Sequence, residues 1–153
     1  MMANQTHIAV LKRGIAFWNH WRQEHPEIQP DLSQSNFSRM NLRGINLSRA
    51  NLRFVNFTGS DLQKADFRNA NLSVAVLVSA NLSTANLSAA DLTGADASDA
   101  LVRDADLTNA NLKIARFSGA DLRGSNLTGA NLDGTILTNA KRRKGFLDMF
   151  SGE

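Results

Sequence analysis

The chain is 153 residues long, carries a formal net charge of +3 and contains no cysteine. That length supports one domain with its own buried core, and the missing cysteine excludes disulfides and thiol chemistry. No apolar run approaches the ~18–20 residues that cross a bilayer, so a soluble protein in the cytoplasm is expected.

Residues 1–29 form the first unit. Ile8, Leu11, Ile15 and Trp18 recur at helical spacing, with Phe17 and Trp21 beside them, which predicts an amphipathic helix over residues 6–25. Pro26 stops it. Lys12, Arg13 and Gly14 interrupt the apolar residues and no small-residue cleavage site follows, so no signal peptide is expected. All three histidines, His7, His20 and His25, lie here. His20 with Glu24-His25 superficially resembles a zinc site, but the spacing is one residue longer than H-x-x-E-H and Pro26 breaks the helix. No metal is expected.

Residues 30–140 repeat every five positions. Stepping by five from Leu32 to Leu137 gives twenty-two positions, each Leu or Phe except Ala97 and Val102. Two places earlier the residue is small in most repeats, as in the column begun by Ala50, Ala65, Ala70, Ala75, Ala80 and Ala85. Asn or Asp stands between the two, as at Asn41, Asn51, Asp61 and Asp91, and every glycine of the region falls two places after the apolar centre. A period of five fits neither an α-helix nor a strand. Two residues two apart point the same way in extended chain. A short extended segment followed by a corner, repeated, therefore makes a square coil of four segments. Glycine in the corner phase predicts positive φ there, as in a type II turn. Phe54, Val74 and Ile114 share that phase, and bulky or β-branched side chains resist positive φ, so those corners are expected to use another turn. Twenty-two segments make about five and a half coils, a rod of roughly 26 Å at ~4.8 Å per coil.

Units such as Ala80-Asn81-Leu82-Ser83-Thr84 and Ala110-Asn111-Leu112-Lys113-Ile114 resemble the bacterial pentapeptide-repeat family. The resemblance implies an all-β solenoid, a right-handed quadrilateral β-helix with the centre and alanine positions inside, to which the helical spacing of residues 6–25 adds an N-terminal capping α-helix. The segment Trp18-Asn19-His20-Trp21-Arg22 through Pro26, then Pro30-Asp31-Leu32, resembles a leader that precedes such repeats in cyanobacterial proteins. A β-helix exposes strand edges and bare core at its ends, so residues 1–29 are expected to plug the first coil.

Residues 141–153 come last. Lys141, Arg142, Arg143 and Lys144 precede Phe146, Leu147, Met149 and Phe150. Three readings stand: a cap on the last coil, an association site for a partner or a second copy, or contact with an anionic membrane. A single short basic cluster anchors poorly, so membrane binding is disfavoured.

The repeats hold 10 Lys/Arg against 10 Asp, so nucleic-acid binding along the body is disfavoured. No histidine stands among their Ser and Asp residues to act as a base, and no Gly-rich phosphate loop leads into a helix. An enzyme and a cofactor are not expected. Ice binding fails because the repeat threonines spread over at least three faces. One corner differs. Phe54, Val74 and Ile114 stack there with Gly94 between the last two, Val76 replaces the usual Asn/Asp, Val78 follows, and Arg53, Lys113 and Arg116 rim the group. Grouped exposed apolar side chains with a charged rim suit an unidentified protein partner. The expected function is a non-catalytic interaction scaffold, with a homodimer through the C-terminal end left open. The family also implies an alternative, a DNA mimic acting on DNA gyrase, which needs a negative surface field that the balanced charge does not supply.

Overall fold

The computed structural model describes residues 2–143. Parallel bridges join residues twenty apart, from Asp31 with Asn51 to Asp121 with Lys141. At each step one coil supplies an N–H and accepts another: Leu32 N–H donates to Asn51 O at 2.9 Å, and Asn51 N–H donates to Pro30 O at 2.8 Å. Four five-residue segments thus make one coil. Each segment ends in a turn closed back to its centre, as in Ala85 N–H to Leu82 O at 3.0 Å.

The turns are uniform. Every corner residue from Gln34 to Asn139 has positive φ, including Phe54 at +57°, Val74 at +56° and Ile114 at +53°. This corrects the expectation that those three corners use another turn type. The N–H of each of these three corners is part of the stack, Phe54 donating to Ser73 O at 3.2 Å, Val74 to Thr93 O at 2.9 Å and Ile114 to Asp133 O at 2.7 Å. A different turn would misalign both neighbouring coils, so the ladder overrides a local preference of about 1–2 kcal/mol per residue.

The Asn/Asp phase also has a structural task. Its side-chain oxygen accepts the N–H two residues on, as Asn81 does from Ser83 at 3.1 Å and Asp91 from Thr93 at 3.0 Å. These Asx turns satisfy the N–H of the residue just before the corner, which the coil-to-coil ladder leaves free. Inside, the Leu and Phe centres and the alanine column are buried through most of the solenoid. Phe37 stacks on Phe57 with ring centroids 5.6 Å apart, and Phe57 meets Phe67 edge-on at 6.0 Å. Burial thins at the last coil, where Ala130, Leu132, Leu137 and Ala140 are half-buried.

The N-terminal segment forms two helices, α1 (Gln5–Lys12) and α2 (Ile15–Glu24). The single helix expected over residues 6–25 is broken at Gly14, whose φ of +107° no helix accommodates. Asn4 caps α1, accepting from Thr6 N–H at 2.9 Å. The break lets the two helices address two sides of the first coil. Asn4 N–H donates to Asp31 O at 3.0 Å, and Asp31 N–H donates to His7 Nδ1 at 3.0 Å. From α2, the buried Trp18 donates through Nε1 to Asn46 O at 2.7 Å. Asn19 accepts from Asn46 N–H at 2.8 Å and donates to Gly44 O at 3.0 Å. Arg22 reaches Ser48 O at 2.9 Å and Ile28 O at 2.7 Å. The Asp31, Asn46 and Ser48 groups face away from the second coil, and the helices supply the partners that a preceding coil would have given.

Candidate interaction surface

The corner column at Phe54 repeats every twenty residues as Gln34, Phe54, Val74, Gly94, Ile114 and Gly134. Corner side chains lie along the rod against neighbouring coils. A Cβ placed on Gly94 would sit 3.9 Å from both Val74 Cγ2 and Ile114 Cδ1, and one on Gly134 would sit 3.0 Å from Ile114 Cγ2. Val74 and Ile114 thus wall a notch over Gly94.

Phe54, Val74 and Ile114 are 49%, 45% and 57% exposed, and Val76 is 37% exposed. Val78 is half-buried. On the rim, Arg53 and Lys113 are exposed, and the Arg53 guanidinium lies 5.5 Å from the Phe54 ring centroid. Arg116 Nε stands 4.0 Å from Asp96 Oδ2, a long and exposed pair. A cleft of about 80 Å³ between Ser33, Gln34, Asn51, Arg53 and Phe54 closes the N-terminal end of the ridge.

Ile136, 42% exposed, belongs to this surface and was missed from sequence. It bridges Arg116, which bridges Asp96, which bridges Val76. The signal was present: among the described residues the Asn/Asp phase is broken at Val76, Leu101, Arg116, Ile136 and Lys141. Three of those five, Val76, Arg116 and Ile136, fall in the one column flanking the ridge. Leu101, though exposed, stacks between Asn81 and Asp121 on another side.

The remaining candidates lie apart. Lys141 closes the ladder, its N–H donating to Ala120 O at 2.8 Å. Arg142 and Arg143 follow it, while Lys144, Phe146, Leu147 and Phe150 lie outside the described residues. His20 pairs with Glu24 at 3.2 Å on the exposed side of α2, whereas His25 Nδ1 lies 3.0 Å from Trp21 O. Among the described residues no group of His, Cys, Asp or Glu could hold a metal ion, and no helix is long and apolar enough to cross a membrane. Asp121 is buried between basic residues. Arg123 donates to it at 2.8 and 2.7 Å, and these bonds, with the nearby charges of Arg123 and Arg103, hold its carboxyl at about 2 against the opposing effect of burial.

A search of curated protein sequences finds no match. Among solved structures, a pentapeptide-repeat protein, Rfr23 from the cyanobacterium Cyanothece 51142, is 29% identical, covering 82% of this chain and 94% of its own, with a TM-score of 0.58. Another, alr5209 from Nostoc PCC 7120, is 40% identical over 51% of this chain and 64% of its own, with a TM-score of 0.50. HetL, a pentapeptide-repeat protein involved in heterocyst differentiation regulation in Nostoc, is 25% identical over 74% of this chain and 78% of its own, with a TM-score of 0.46. The pentapeptide-repeat family model matches in eight copies, within spans that run from residue 31 to residue 139. Repeat, ladder and family model agree: this β-helical solenoid belongs to the pentapeptide-repeat family.

Proposed function

We propose that the protein is a non-catalytic interaction scaffold, a right-handed, four-sided rod that presents one corner to a protein partner. Among the described residues the interior is packed with Leu, Phe and Ala side chains. One observation carries the reading. Exposed apolar residues gather at the edge where Phe54, Val74 and Ile114 occupy positive-φ corners and Val76, Arg116 and Ile136 interrupt the Asn/Asp phase. The test is cross-linking and affinity purification of the full chain from its native host. A stoichiometric protein partner is expected, and recovery of the chain alone would contradict the scaffold.

A second element of the proposal concerns the last coil. Leu132 and Leu137 are half-buried there, whereas the equivalent residues of inner coils are covered, which supports pairing of two copies through that end. Sedimentation should report a dimer for the full chain and a monomer for Leu137→Asp. The gyrase-mimic alternative needs a strongly negative rod, and the balanced repeats give it no support. Gyrase supercoiling is expected to be unaffected by the protein.

A further inference from the structure

Building on the scaffold reading, we infer that the ridge of Phe54, Val74, Gly94 and Ile114, flanked by Val76 and Ile136, receives an amphipathic α-helix of another protein, apolar on one stripe and acidic beside it.

Local stability argues that the ridge is not neutral decoration. Val74 and Ile114 place β-branched side chains at φ +56° and +53°, where Gly or Asn would be relaxed. Val76 and Ile136 forgo the Asx hydrogen bond that Asn71 makes to Ser73 N–H and Asn131 to Asp133 N–H, each at 3.0 Å. Positive φ is shared by corners on every side, Thr84 at +59° included. Yet three of the five breaks of the Asn/Asp phase among the described residues gather in the column beside the ridge, and turn bonds given up together at one edge mark a site kept for contact.

Spacing selects the shape of the occupant. The ridge offers one position per coil, at ~4.8 Å intervals. An α-helix parallel to the rod advances ~5.4 Å per turn, so its stripe drifts by only about 2 Å over the three intervals from Phe54 to Ile114. An extended strand, with same-side residues about 6.7 Å apart, loses register about three times faster. The notch over Gly94, walled by Val74 Cγ2 and Ile114 Cδ1, is a hole for one apolar knob of the helix.

Charge selects the chemistry. Arg53 and Lys113 are exposed in the column beside the ridge, with Ser73 and Thr93 between them. They stand three coils apart, about 14 Å, and call for acidic side chains about eleven residues, three turns, apart on one side of a helix. Arg116 is partly engaged by Asp96, and Asp133 lies beyond Lys113. The same charges disfavour the basic run Lys141-Arg142-Arg143-Lys144 of this chain or of a second copy as the occupant, which leaves an acidic helix of another protein as the complement.

The test uses the full chain and two labelled helical peptides of ~18 residues with one leucine stripe, one carrying Glu beside the stripe and the other Lys, read by fluorescence anisotropy. The Glu peptide should bind at least tenfold tighter. Val74→Ser with Ile114→Ser should weaken it at least tenfold, and Arg53→Glu with Lys113→Glu should reverse the preference. Equal affinity for both peptides, or binding unchanged by the serine pair while circular dichroism confirms folding, would overturn the inference. Host capture separates the two levels. Partners held equally by wild type and the serine pair would sink the ridge but leave the scaffold standing, and capture by neither would sink both.

Discussion

Val74 and Ile114 illustrate how a repeat fold tolerates residues its local geometry disfavours. Asn69, Asn109 and Asn139 occupy the same corner phase at φ between +56° and +58°, and asparagine visits this region at lower cost than a β-branched side chain. Val74→Asn should therefore stabilise the protein by about 1 kcal/mol, measured by urea unfolding, while weakening partner binding. Val76→Asn should restore an acceptor for Val78 N–H and add about 0.5–1.5 kcal/mol. A loss of stability in both would contradict the view that this edge gives up stability for contact. In the core the sign reverses. Leu87 is fully buried, and Leu87→Ala should cost about 2–5 kcal/mol.

Among the elements, the helical plug and the Asp121 ion pairs stand toward opposite ends of the rod. Trp18 is buried and hydrogen-bonded to the first coil, so Trp18→Ala should cost about 3–5 kcal/mol. It should also speed amide exchange in residues 31–50 before it does so in central coils. Asp121 works near the other end. Its carboxyl titrates at about 2 when folded, below the ordinary 3.8, so the unfolded chain takes up its proton first as acid is added. Its contribution is whole above the ordinary value and is lost as pH falls towards 2. Asp121→Asn should thus be less stable than wild type at pH 6, with the gap narrowing at pH 2.5. Of these elements, the sequence made the plug legible through Trp18 and its helical spacing. It did not reveal the break at Gly14, because an apolar stripe continues across a kink that only the shape of the first coil requires.

For the whole molecule, the legible part was the period. A centre at every fifth residue, a small residue two before it and glycine in one phase are direct consequences of stacking like over like, so coil length and core membership followed. Turn type was not legible at Phe54, Val74 and Ile114, because a steric preference of one residue competes with ladders to two neighbouring coils. The surface was half legible. Phe54, Val74, Val76 and Ile114 stood out as apolar at polar phases, but Ile136 was overlooked because the Asn/Asp phase had no stated purpose until its hydrogen bonds to the N–H before each corner were seen.

The central claim, that residues twenty apart lie directly above one another, is open to a direct measurement because the chain has no cysteine of its own. Ser98→Cys with Ser118→Cys places two thiols on adjacent coils about 4.8 Å apart at the backbone, within disulfide reach. Ser98→Cys with Ser88→Cys places them on opposite sides of the core. Mild oxidation should close the first pair quantitatively within the monomer and leave the second free. A free first pair, or a closed second one, would contradict the coil.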